Sequence, residues 1–177
     1  GSADNFRPSL RMSTGSPIIA HGGAKGDLEM SMVNPSAFLT QAYRGVGLFK
    51  DPLPLRVVAC YPSWDRFVYM IHPRTGLTSL SQIKERQYPL RLSIREDATH
   101  STRVLLDQTL EIYGFTLADL ESWGGGLQLN GGPGDERRLT ALRDETIDAV
   151  FDEGLPLWFD DALARGMEPI TPDAFAM

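Results

Sequence analysis

The residues best suited to chemistry in this 177-residue chain gather just after short apolar runs. Arg95, Thr99, His100, Ser101 and Thr102 follow the alternating run Leu90, Leu92, Ile94 and lead into a helical pattern. Free backbone N–H groups and the positive end of a helix dipole favour an anion at such a point. The three hydroxyls add donors, and Arg95 and His100 add positive charge, so a carboxylate would suit the group. Ser101 or Thr99 would equally serve as an ordinary helix cap. Asp152 and Glu153 come directly after Phe151, at the end of another apolar run. They could hold an ammonium group or an ordered water, or form a solvated rim. Near the amino end, Thr14 and Ser16 flank a glycine turn, and Asn34 and Ser36 flank Pro35, where Asn34 is also a natural cap. Trp64 sits in a loop between two expected strands and could stack on a bound molecule, whereas Trp123 and Trp158 read as packing residues.

Other chemistries find little support. His21, His72 and His100 are far apart and in no metal-ligand spacing, so no cofactor or metal is expected. No G-x-S-x-G elbow is present, and the glycines of 124–134 match neither a phosphate loop nor a dinucleotide fingerprint, so no enzyme is expected. A catalytic alternative would need His100 within hydrogen-bond reach of Asp97, Asp152 or Glu153. The single cysteine, Cys60, excludes an internal disulfide and reads as a small core residue. With 17 Lys and Arg against 23 Asp and Glu, the net charge of -6 argues against a nucleic-acid partner. A hydrophobic content of 42% supports a true core. No apolar run is long enough to span a bilayer, and no signal-peptide pattern opens the chain, where Gly1-Ser2 reads as an expression scar.

The elements that must carry these residues follow from periodicity. Strands are expected at 10–14, 28–33, 55–60, 67–71, 90–94, 127–129 and 147–151. Helices are expected from Pro35 to Gly45, from Thr78 or Ser79 to Arg86, from Thr102 to Tyr113, from Asp135 to Asp144, and from Pro156 to Arg165. Gly22, Gly23 and Gly26 mark a loop. Thr116-Leu117-Ala118-Asp119 has the form of a capping box. From Phe67 onward strand and helix alternate, which predicts an α/β fold with a mostly parallel sheet covered on both faces. In such sheets ligands bind beyond the carboxyl ends of the strands, where Arg95 and Asp152 fall.

The segment "MSMVNPSAFLTQAYRGVG" at 30–47 resembles the TAXI group of TRAP-transporter solute receptors, within the type 2 periplasmic binding proteins. "STGSP" before it, and "PLPLRVVACYP" and "LTALRDETIDAVFDEGLP" after it, agree in order. The resemblance implies a two-lobed type 2 fold: a first lobe over 1–68, a second over 69–171, and a tail over 172–177. The first lobe is expected to be incomplete, because little chain separates "TGSP" from "GDLEMSM" and the chain ends where the family returns to that lobe. Bulky "REDATHST" stands where the family has a glycine-rich turn. The implied role is a periplasmic receptor that captures a small carboxylate-bearing ligand between the lobes and serves a membrane transporter. The expected ligand-binding set, read from the residues themselves, is Thr14, Ser16, Asn34, Ser36, Trp64, Arg95, Thr99, His100, Ser101, Thr102, Asp152 and Glu153. A ligand-sensing effector domain of a regulator with the same fold is the alternative.

Overall fold

The computed structural model describes residues 9–11, 15–63, 65–170 and 172. The chain divides into two compact units, 1–58 and 59–177.

The first unit is built on two helices, α1 (Ser16–Lys25) and α2 (Ser36–Arg44). Pro17 opens α1, where its missing N–H costs nothing, and Gly26 in the left-handed region closes it. The loop expected at the glycines is therefore a helix: Gly22 and Gly23 lie inside α1, between that proline start and glycine stop. The α2 helix begins one residue later than expected. Pro35 is its extended N-terminal flank, and Asn34 does not cap it. Gly45 ends α2 at φ 65, and an added Cβ there would meet the Pro52 nitrogen at 2.5 Å, so only glycine fits. Ala20, Phe38, Ala42 and Phe49 form the small core, with the His21 ring against Phe49.

The strand expectations at 28–33 and 55–60 are corrected, and 12–14 of the expected 10–14 strand lie outside the described residues. Residues 28–33 and 55–60 are irregular, and so are the described residues of 10–14, namely Leu10 and Arg11. A strand needs a neighbour to take its backbone hydrogen bonds, and β-branched composition alone does not supply one. The 55–60 run is also not buried: Val58 is 81% exposed, and Cys60 is exposed rather than a core residue.

The second unit is a mixed α/β layer structure around a mostly parallel sheet. Its strands are β1 (Val68–Ile71), β2 (Arg91–Arg95), β3 (Gly126–Asn130), β4 (Ala149–Asp152) and β5 (Glu168–Ile170). They lie in the order β3-β2-β4-β1-β5. β2 runs parallel to both β3 and β4, and β1 is antiparallel to both of its neighbours, β4 and β5. The connecting helices are α3 (Ser81–Glu85), α4 (Ser101–Ile112), α5 (Leu117–Ser122), α6 (Glu136–Arg143) and α7 (Phe159–Ala164). The last of these is shorter than expected, because Leu155–Leu157 forms a separate 3-10 turn before Trp158.

Strand alternation sorts the core into two halves. Tyr69, Ile71, Leu92, Ile94, Ala149 and Phe151 meet α3, α4 and α5 through Ile83, Leu106, Leu110 and Leu120. Met70 and Val150 meet α6 and α7 through Ala141, Leu142, Trp158 and Ala162. Each fully buried aliphatic or aromatic side chain here contributes roughly 1.5–3 kcal/mol. The expected capping box is present: Thr116 accepts from the Asp119 N–H, and Asp119 accepts from the Thr116 N–H at 2.8 Å.

Candidate functional site

Register places the polar residues. Arg95 pairs with Asn130 across β2 and β3, and the Ser93–Val150 pairing carried forward brings Arg95 level with Asp152. All three residues end parallel strands at one edge of the sheet. By alternation Ser93, Arg95, Asn130 and Asp152 share the face covered by α6 and α7. That face is apolar further down, and at this edge it turns polar.

Asp152 is the hub. Arg95 Nε lies 3.0 Å from one of its carboxylate oxygens, and Arg138 Nη1, from α6, lies 2.6 Å from the other. Arg138 and Asp152 are both fully buried. Arg138 also donates from Nε to Ser93 Oγ and from Nη1 to the Pro133 carbonyl, and its guanidinium stands 5.8 Å from the Trp158 ring centre. Asn130 Nδ2 donates to the same Ser93 Oγ at 2.7 Å. Burial pulls the Arg138 pKa down, and Asp152 pushes it back. A carboxylate among such donors fixes both guanidinium planes.

The rim lies just above. Arg95 Nη2 is 3.6 Å from Glu153 Oε1, a partly exposed side chain. Burial, the largest influence, raises the Glu153 pKa, and the Thr102 hydroxyl draws it back. His100 flanks α4, and its Nδ1 accepts from the Thr102 N–H at 3.2 Å, which takes up one free donor of the helix start. Burial lowers the His100 pKa, and the positive charge of Arg95 lowers it further. Ser101 and Thr102 are buried in the first turn. Arg103 reaches back from α4 to donate to the Arg95 carbonyl at 2.7 Å, which ties the helix to the strand end.

The structure thus brings Arg95, His100, Thr102, Asp152 and Glu153 into one electrostatic group, with Ser101 beside it on α4. Thr99 is not part of it. Its N–H and hydroxyl both go to Asp97 in a local turn. In the first unit, the buried Ser16 hydroxyl donates to the Asn34 carbonyl at 2.5 Å and accepts from the Asn34 N–H at 2.9 Å, so it is occupied in holding that turn. Ser36 is exposed at the start of α2. Thr14 and Trp64 lie outside the described residues. No ion pair joins His100 to a carboxylate among the described residues, and none of their acidic, histidine and cysteine side chains cluster in a metal-binding group.

Arg138, Ser93 and Asn130 were not foreseen. The signal for Arg138 was its place three and four residues before Ala141 and Leu142, which sets a charge on the apolar stripe of α6. Two shallow grooves lie elsewhere: one beside Gln128 and Thr140 on α6, the other around His21 and Leu53 in the first unit.

No family model matches the chain, and no curated protein matches it. Among solved structures, it is similar to the L-cystine solute receptor of Neisseria gonorrhoeae in its unliganded open conformation. The identity is 15% and the TM-score 0.35, over 63% of this chain and 39% of that one. The match spans well under half of that receptor's length, and a likeness this slight carries no argument about the site. Among the described residues no helix is long and apolar enough to cross a membrane.

Proposed function

We propose that the rim formed by Arg95, Ser101, Thr102 and Glu153 binds a small polar molecule that bears a carboxylate, and that the chain is a solute-binding protein. One observation carries the reading: Arg95 is locked by a buried carboxylate beneath it while its outer nitrogen faces the rim beside the start of α4. A guanidinium held in this way keeps a flat donor fork ready, so a ligand carboxylate need not pay to order it. The α4 helix is 12 residues long, and its dipole adds to the attraction. Glu153 supplies the opposite charge nearby and would accept from a ligand ammonium or hydroxyl. Asp152 acts as the internal counter-ion and does not touch the ligand.

Beyond this unit the reading rests on the sequence resemblance. From it come a TAXI-type receptor, closure of two lobes by population shift, a periplasmic location and a membrane-transporter partner. A thermal-shift screen against small carboxylates and amino acids tests the binding role. A ligand present at about 100 times its dissociation constant stabilises the folded state by roughly 2.7 kcal/mol. A clear rise in melting temperature for at least one carboxylate is expected, and a flat response across the panel would remove the proposal.

A further inference from the structure

The two edges of the sheet are unlike. β5 closes one side with Glu168, Pro169 and Ile170, a charge and a proline that discourage another strand. β3 closes the other side with Gly126, Leu127, Gln128, Leu129 and Asn130, which carry neither. Gly126 donates to the Leu90 carbonyl, and the Asn130 carbonyl accepts from Glu96. The parallel ladder therefore uses the backbone groups of Gly126, Gln128 and Asn130, and those of Leu127 and Leu129 point away from the sheet.

That outward pattern is self-complementary. An antiparallel copy of β3 with its two-fold axis at Gln128 sets Leu127 opposite the other copy's Leu129. Each such pair can exchange both N–H···O bonds. Gln128 then faces its own copy, with no like charge across the axis. The flanks also match: Gly125 falls opposite Gly131 and Gly124 opposite Gly132, so these four positions add no side chain of their own to the seam. Leu129, 43% exposed in the single chain, would be covered by the partner's Leu127 on the same face. We infer that this chain self-associates through antiparallel β3–β3 pairing, which joins the two five-stranded sheets into one.

The experiment uses the whole chain with reducing agent present. Sedimentation or light scattering across a concentration series should show the mass rising from 19.6 kDa toward twice that value. Leu129→Pro deletes an outward N–H without touching the β2 ladder. It should move the midpoint at least about tenfold to higher concentration, a shift of about 1.4 kcal/mol. A register test stands independently of that variant's folding. In a Cys60→Ser background, Gln128→Cys places two cysteines across the axis at a Cα separation of about 4.5 Å, within disulfide range. Leu127→Cys does not face its own copy. Oxidation should cross-link the first variant and leave the second largely monomeric. A monomer at every concentration, or equal cross-linking of the two cysteine variants, overturns the inference.

Discussion

Arg138 crosses from α6 to Asp152 at the end of β4 and meets it at 2.6 Å, with both side chains fully out of water. Asp152 also holds Arg95, so one carboxylate serves two guanidinium groups. Loss of the carboxylate takes from Arg138 its buried counter-charge and from Arg95 its closer one, whereas loss of Arg138 leaves Asp152 with Arg95. Asp152→Asn should cost about 3–5 kcal/mol in urea unfolding, and Arg138→Met distinctly less. Equal losses would mean that the two arginines do not depend on a common partner.

A pH dependence follows from Glu153. Burial raises its pKa above the ordinary value. Between the ordinary and the raised pKa, the folded protein keeps a proton that the unfolded chain has released, so stability falls as pH rises through that window. Glu153→Gln removes this slope. The variant should be more stable than the parent at neutral pH, with the gain disappearing below the ordinary glutamate range. Chemical denaturation across that range reads the difference directly, and a variant less stable at neutral pH would contradict the assignment.

The Thr116–Asp119 capping box offers a control away from the rim. Thr116→Ala should cost about 1 kcal/mol and leave ligand binding unchanged, since it loses one cap at the start of α5. Calorimetry on the variant checks the second half of that statement.

Gly125 tests the close approach of the α5 end to β2. A Cβ there would sit 2.5 Å from the Leu90 carbonyl oxygen and 2.8 Å from that of Leu120, both backbone atoms that cannot swing aside. Gly125→Ala should lower the melting temperature clearly, while an alanine at the open Gly126 position should not raise this clash.

Much of the second unit was legible because local signals and burial agreed. Leu90, Leu92 and Ile94 alternate since one face of β2 meets a core, and Gly114 ends the helical pattern of α4 where the chain turns. Up to residue 60 they disagreed. The 55–60 run is rich in strand formers, yet no neighbouring strand pairs with it among the described residues. β5 was missed because it is only three residues long and contains Pro169. At the site, the carboxyl-edge positions of Arg95 and Asp152 were readable from strand endings. Their direct pairing was not, since it depends on the β2–β4 register and on Arg138 arriving from another layer.

The most direct test is a calorimetric titration of Arg95→Gln beside the parent, with a carboxylate ligand and its methyl ester. Both proteins should first be shown folded by circular dichroism. Arg95 is buried, and truncating one partner of a buried, hydrogen-bonded charge pair costs about 2–5 kcal/mol. The account predicts saturable heat for the parent with the free acid, and affinity at least about tenfold weaker for the ester or for the variant. Equal affinity for acid and ester, or a variant that binds as tightly as the parent, would contradict it.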